Sequence, residues 1–267
     1  MEIACVQFEC RKIGSEQEFF EHTEELLDLA KKADFVLLPE LWSMELQSVA
    51  GDLMKTHVFT DKIFEFTQGI AEDRGQCIIG SCVKKEDRLY NVAFAATPDG
   101  VYEHKKTHLF GFEKMIFSAG SSIDVFEFGN VKFGIAICYE VEFPEFVRAM
   151  VLKGAEIVFC PSYTIGEHGY WRVRYCCSAR AVENQVYVAL SSLLSSPVKG
   201  LEGYGRSVIF SPCEPPWKTD GIIAEAGSGE DVIYGEVDIE LLRMKREKGV
   251  ATTLRDRRTD LYNLEFK

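Results

Sequence analysis

The chain has no apolar run approaching the ~20 residues that a membrane span requires, and no CxxC pair among its nine cysteines. The first absence argues against a membrane-embedded protein. The second removes the commonest zinc and redox spacing. Cys176 and Cys177 are adjacent and fall in a helical pattern, which also speaks against a metal site. An odd cysteine count without a compact framework points to free thiols in a reducing, cytoplasmic setting. The formal net charge of −12 makes nucleic acid an unexpected partner, because phosphate binding needs clustered cations. The opening Met1-Glu2-Ile3-Ala4-Cys5-Val6 lacks the basic region and cleavage site of a signal peptide and reads as a first strand. No repeat, low-complexity segment or linker-like stretch divides the chain, so one α/β domain over 1–267 is expected, with a core at about 2–240 and a tail at 241–267.

What is present is an alternation of short apolar runs and amphipathic stretches. At 46% hydrophobic, the 267 residues can bury a sizeable core. Strands are expected at 3–8, 35–38, 77–83, 90–96, 124–128, 131–138, 157–160, 186–191, 208–210, 222–226 and 232–237. Helices are expected at 16–32, 59–74, 144–153, 171–184 and 241–248. Gly129-Asn130 reads as the turn of a strand pair, and Gly154 as a helix stop.

Three segments far apart each set a reactive side chain at or just after such a run. Leu37-Leu38-Pro39-Glu40 ends in a carboxylate. Lys106 follows the 90–96 run and a short turn. Gly134-Ile135-Ala136-Ile137-Cys138 ends in a thiol. Strand ends in α/β sheets are where catalytic groups collect. Read singly, each residue has an ordinary role. Cys138 could be a buried structural cysteine, Glu40 a capping or ion-paired carboxylate, and Lys106 a solvated neighbour of Lys105. Glu113 is equally a second site carboxylate or a loop charge. His108 suggests a Cys–His pair, but no orienting Asn or Asp is evident, so a hydrogen-bonded loop histidine is the expectation. Glu142-Phe143-Pro144-Glu145 reads as a helix start after Cys138. A helix N-terminus and Lys106 together would favour the thiolate, so Cys138 should alkylate first, with Cys5, Cys160 and Cys177 protected.

Taken together, these segments resemble the nitrilase superfamily, the carbon–nitrogen hydrolases, over about residues 2–240. Its Glu-Lys-Cys triad matches Glu40, Lys106 and Cys138, and many members carry a second glutamate at the position of Glu113. Phe143-Pro144-Glu145, Gly154-Ala155-Glu156-Ile157, Pro161-Ser162, Ala179-Arg180-Ala181-Val182-Glu183-Asn184-Gln185 and Gly205-Arg206-Ser207 extend the match. The resemblance implies an αββα sandwich of the nitrilase type, usually paired into a homodimer, that needs no cofactor or metal. It also implies a thioester mechanism on a small-molecule amide, with Glu40 as base and Lys106 and the Tyr139 N–H on the oxyanion. Ser162 and Tyr163 are implied as substrate-binding pocket residues, though turn residues after a strand would look the same. Glu140 departs from the Asp of many members, and Tyr163-Thr164 from their Trp or Asn. The expected activity is hydrolysis of a small linear amide or carbamoyl compound. The alternatives are a nitrilase or a catalytically silent binding protein of the same fold.

Overall fold

The computed structural model describes residues 1–196 and 200–265. The first half of the chain forms β1 (Glu2–Glu9), α1 (Glu16–Leu29), β2 (Phe35–Leu37), the single turn α2 (Gln47–Ala50), α3 (Thr60–Arg74), β3 (Cys77–Lys85), β4 (Leu89–Thr97) and β5 (Gly100–Lys105). The second half forms β6 (Val125–Phe128), β7 (Val131–Ile135), α4 (Pro144–Leu152), β8 (Ile157–Ser162), α5 (Gly166–Asn184), β9 (Tyr187–Ser195), β10 (Val208–Phe210), β11 (Ile222–Glu225), β12 (Asp231–Glu236) and α6 (Ile239–Lys248).

The strands make two stacked sheets. One runs β12-β1-β2-β3-β4-β5, with β1, β2 and β3 parallel. The other runs β6-β7-β8-β9-β10-β11, with β7, β8 and β9 parallel. They join at a short seam where β1 outruns β2 and Phe8 pairs with Leu193 of β9. Side-chain alternation along each strand sorts the two faces. On β1, Ile3 and Cys5 enter the core shared by the sheets, while Ala4, Val6 and Phe8 face the helix layer. Phe35 of β2 crosses the interior to meet Phe133 at 5.4 Å and Phe159 at 5.2 Å. Burying each such ring stabilises the fold by about 1.5–3 kcal/mol. Phe19, Leu26 and Leu27 of α1 cover the outer face of the first sheet, and Ser15 caps that helix by accepting from the Glu18 N–H at 3.3 Å. Val147 and Met150 of α4 and Val173 and Cys177 of α5 cover the second sheet. Gly134 admits α4 at close range, since a Cβ there would lie 2.6 Å from Met150 Sδ. The layer order is the expected αββα.

Several boundaries differ from the sequence expectation. β5 was not expected as a strand; it is a half-exposed edge strand carrying Glu103 and Lys105, so it shows no apolar run. It holds Lys106 at the rim of the first sheet. β7 stops at Ile135, short of Cys138. The Ala136 N–H makes one more ladder bond to Phe159 O at 2.9 Å, and the Ile137 N–H then turns to Glu140 Oε2 at 2.8 Å. α5 begins at Gly166, ahead of Trp171, because Gly166-Glu167-His168-Gly169 carries no apolar residue to mark the period. Among the described residues no helix is long and apolar enough to cross a membrane.

Candidate active site

The ends of β2, β5, β7 and β8 meet at one end of the sandwich and enclose a cavity of about 290 Å³. Glu40, Lys106, Glu113 and Cys138 all line it. Lys106 Nζ lies 2.7 Å from Glu40 Oε1 and 2.7 Å from Glu113 Oε2. Glu113 is steadied by the Phe110 N–H, which donates to Oε2 at 2.7 Å. The Cys138 thiol donates to the Tyr163 carbonyl at 3.7 Å and accepts from Ser162 Oγ at 3.3 Å. It is also within hydrogen-bonding reach of Glu40.

Local backbone geometry sets these positions. Cys138 opens a 3-10 turn, Cys138–Glu142, with φ of +48°, a left-handed conformation unusual for a residue with a Cβ. The turn directs Sγ into the cavity and leaves the Tyr139 N–H in a first turn, where no intrahelical acceptor exists. Leu41, next to Glu40, is also left-handed at φ +51°.

Three further residues fix the constellation, and none was singled out from the sequence as a site residue. Asn91 of β4 donates to Glu40 Oε1 at 2.8 Å and to Glu113 Oε1 at 3.2 Å. Its own carbonyl accepts from Ser81 Oγ at 2.9 Å, and Ser81 accepts from the Leu41 N–H at 3.0 Å. Glu140, fully buried, takes the Thr107 N–H at 2.6 Å, Thr107 Oγ1 at 2.7 Å and the Ile137 N–H at 2.8 Å. It therefore ties the lysine segment to the cysteine turn. His104 supports it, with Nε2 at 3.1 Å from Glu140 and Nδ1 at 2.9 Å from Asp124.

The electrostatics follow from burial. Burial opposes a charged Lys106, but Glu40 and Glu113 outweigh it, so the pKa rises and the ammonium persists. Burial pushes Glu40 up; Lys106 counters in part and Glu113 adds to the rise. Burial, then the Glu40 carboxylate, push the Cys138 thiol well above its ordinary value, and Lys106 offsets this only in part. This corrects the expectation of a resting thiolate. α4 starts at Pro144, beyond the 3-10 turn, so its N-terminus does not directly follow the sulfur. The resting cysteine is a thiol whose proton has a carboxylate to go to.

The other expected residues separate. Tyr139 and Tyr163 line the cavity. Tyr139 sits edge-on to Phe110 at 5.2 Å, and Tyr163 gives its N–H to Glu40 Oε2 at 3.0 Å. Ser162 is buried behind the sulfur rather than on the wall. His108 stays outside, bonded to Thr107 Oγ1 at 2.8 Å and stacked on Phe143 at 4.0 Å, the loop histidine that was expected. Among the described residues no His, Cys, Asp and Glu group has the placement of a metal site.

The family profile of carbon-nitrogen hydrolases matches residues 2–247. The chain is 35% identical to the probable hydrolase YhcX of Bacillus subtilis, over 99% of this chain and 55% of that protein. It thus spans about half the length of that relative. It is 30% identical to 2-oxoglutaramate amidase of the same bacterium, over 97% of this chain and 98% of the relative. Its structure is similar to that of an amidase from Nesterenkonia sp. AN1, with a TM-score of 0.74, 26% identity and 98% of each chain covered. That amidase was seen as a glutamate-to-glutamine mutant, with acrylamide joined by Michael addition to its active-site cysteine.

Proposed function

The chain belongs to the carbon–nitrogen hydrolase family, and we propose that it is a cysteine-dependent amidase acting on a small linear amide or carbamoyl compound. The observation that carries this reading is the convergence of Cys138, Glu40 and Lys106 on one cavity. The kinship with amidases supports it.

The reaction follows from the groups present. An amide enters with its carbonyl carbon against Cys138 Sγ. As the S–C bond forms, the thiol proton passes to Glu40, whose burial raises its pKa and makes it a stronger base than an ordinary carboxylate. The carbonyl oxygen becomes an oxyanion held by Lys106 and the Tyr139 N–H. Each such donor lowers the barrier by about 3 kcal/mol. Glu40 then protonates the departing nitrogen, the C–N bond breaks, and ammonia or an amine leaves a thioester on Cys138. Water, deprotonated by Glu40, attacks the thioester. The acid departs and the thiol regains its proton. Glu113 orients Lys106, and Ser162 supports the sulfur.

We further assign the working form as a homodimer, which sedimentation at micromolar concentration tests. The nine free cysteines fit a reducing compartment, and we assign the enzyme to the cytoplasm. The deciding experiment is ammonia release across ω-amides, carbamoyl amines and nitriles, with Cys138→Ala as control. Turnover of amides that vanishes in the variant is the expected result. No turnover on any amide or carbamoyl compound would refute the reading.

A further inference from the structure

The cavity wall beyond the triad is mostly apolar, built from Leu41, Met44, Leu53, Phe110, Phe117 and Ile165. Its charges are few. Glu40, Glu113 and Glu142 supply carboxylates, while among the described residues Lys106 and Arg172 supply the permanent cations. Both cations are ion-paired. Lys106 is held by Glu40 and Glu113. Arg172 Nε gives its hydrogen bond to both Glu142 oxygens, at 2.7 and 2.8 Å, and its guanidinium lies 5.6 Å from the Phe110 ring centroid. Glu142 stands on a fixed support: the buried Arg180 binds the Val141 and Glu142 carbonyls, each at 3.0 Å. His168, exposed, completes the rim.

The Arg172 side chain is half-exposed and already neutralised by Glu142, so a second carboxylate on the substrate would stand beside Glu142 without an uncompensated cation to favour it. Like charges side by side are disfavoured. An uncharged acyl chain meets the apolar wall at no such cost. Resting on the amidase reading above, we propose that this pocket selects amides with an uncharged, apolar acyl chain. In this proposal Glu142 excludes acyl chains that end in a carboxylate, by occupying the arginine that would otherwise bind them.

The test compares pentanamide with glutaramate, which share a five-carbon acyl chain and differ by a terminal carboxylate. Wild type should show a kcat/KM for pentanamide at least about tenfold above that for glutaramate. Glu142→Gln releases Arg172 and should raise the glutaramate-to-pentanamide ratio about tenfold or more, whatever happens to either rate alone. Arg172→Gln leaves Glu142 unpaired and should lower that ratio further. A wild-type enzyme that uses glutaramate as well as or better than pentanamide overturns the proposal, as does a ratio unmoved in both variants.

A second readout needs no turnover: protection of Cys138 from iodoacetamide, followed by mass spectrometry. Pentanamide should protect at lower concentration than glutaramate. If no amide releases ammonia, the amidase reading falls and this measurement alone decides. Equal protection, reversed protection or none from either compound would overturn the selectivity.

Discussion

Asn91 Nδ2 sits 2.8 Å from Glu40 Oε1, on the same oxygen that Lys106 Nζ holds at 2.7 Å. One carboxylate oxygen is thereby committed to orientation. The other accepts the Tyr163 N–H at 3.0 Å, which links the base to the segment beside Cys138. Asn91→Leu should lower kcat roughly tenfold, about the worth of one net hydrogen bond, with KM little changed. Steady-state kinetics on any amide found to be a substrate checks this. If kcat stands and only the melting temperature falls, Asn91 is a packing residue.

Glu40→Gln and Lys106→Met should each lower kcat by at least roughly a hundredfold, the usual scale for a lost acid–base group or oxyanion donor. Cys138→Ala should abolish turnover with the far-ultraviolet spectrum intact. Were KM alone to change in the first two, their contribution would be uniform binding and not chemistry.

The raised pKa of Cys138 makes its alkylation pH-dependent in a stated direction. The thiol should react slowly with iodoacetamide at neutral pH and faster with every rise in pH, without a plateau below pH 9.0, the ordinary thiol value. Cys213, the one exposed cysteine, should be labelled first and with activity retained. Cys5, Cys77 and Cys82 are buried with raised pKa values and should stay unlabelled. Mass mapping after a limiting dose reads all three outcomes. A Cys138 rate that levels off below pH 7 would mean a resting thiolate after all.

Burial disfavours the His104 cation, but Glu140 and Asp124 outweigh it and raise its pKa from 6.5 to about 9. The folded state thus holds a proton that the unfolded state releases near pH 6.5. The stability from this ion triad is complete below pH 6.5 and is lost as pH climbs toward 9. The difference in melting temperature between wild type and His104→Gln should therefore be largest near pH 6 and shrink steadily through pH 9. His22, raised to about 9 as well, is present in both proteins and cancels in the difference. A difference that stays constant across this range would remove His104 as a charged support.

The α/β alternation was legible because the central strands are buried on both faces and read as short apolar runs, whereas the αββα layering was implied only by the resemblance to the nitrilase superfamily. Glu40, Lys106 and Cys138 were legible because each interrupts or follows such a run with a reactive group. What escaped has physical causes. β5 is a charged edge strand, without the pattern that marks a buried one. Asn91 lies inside an apolar run, where its meaning depends on what faces it across the sheet. Glu140 is one carboxylate in a stretch with several, and only its depth sets it apart. The protonation state of Cys138 was misjudged because the expectation weighed nearby charge, whereas burial is the larger influence. Ser162 was placed in the pocket by the resemblance alone; it lies buried against the Cys138 sulfur instead.

The left-handed backbone at Cys138 sets two physical demands against each other. A glycine would adopt φ +48° with little strain, so the most comfortable residue at this turn is one that carries no sulfur at all. The nucleophile therefore sits where its own backbone is least at ease.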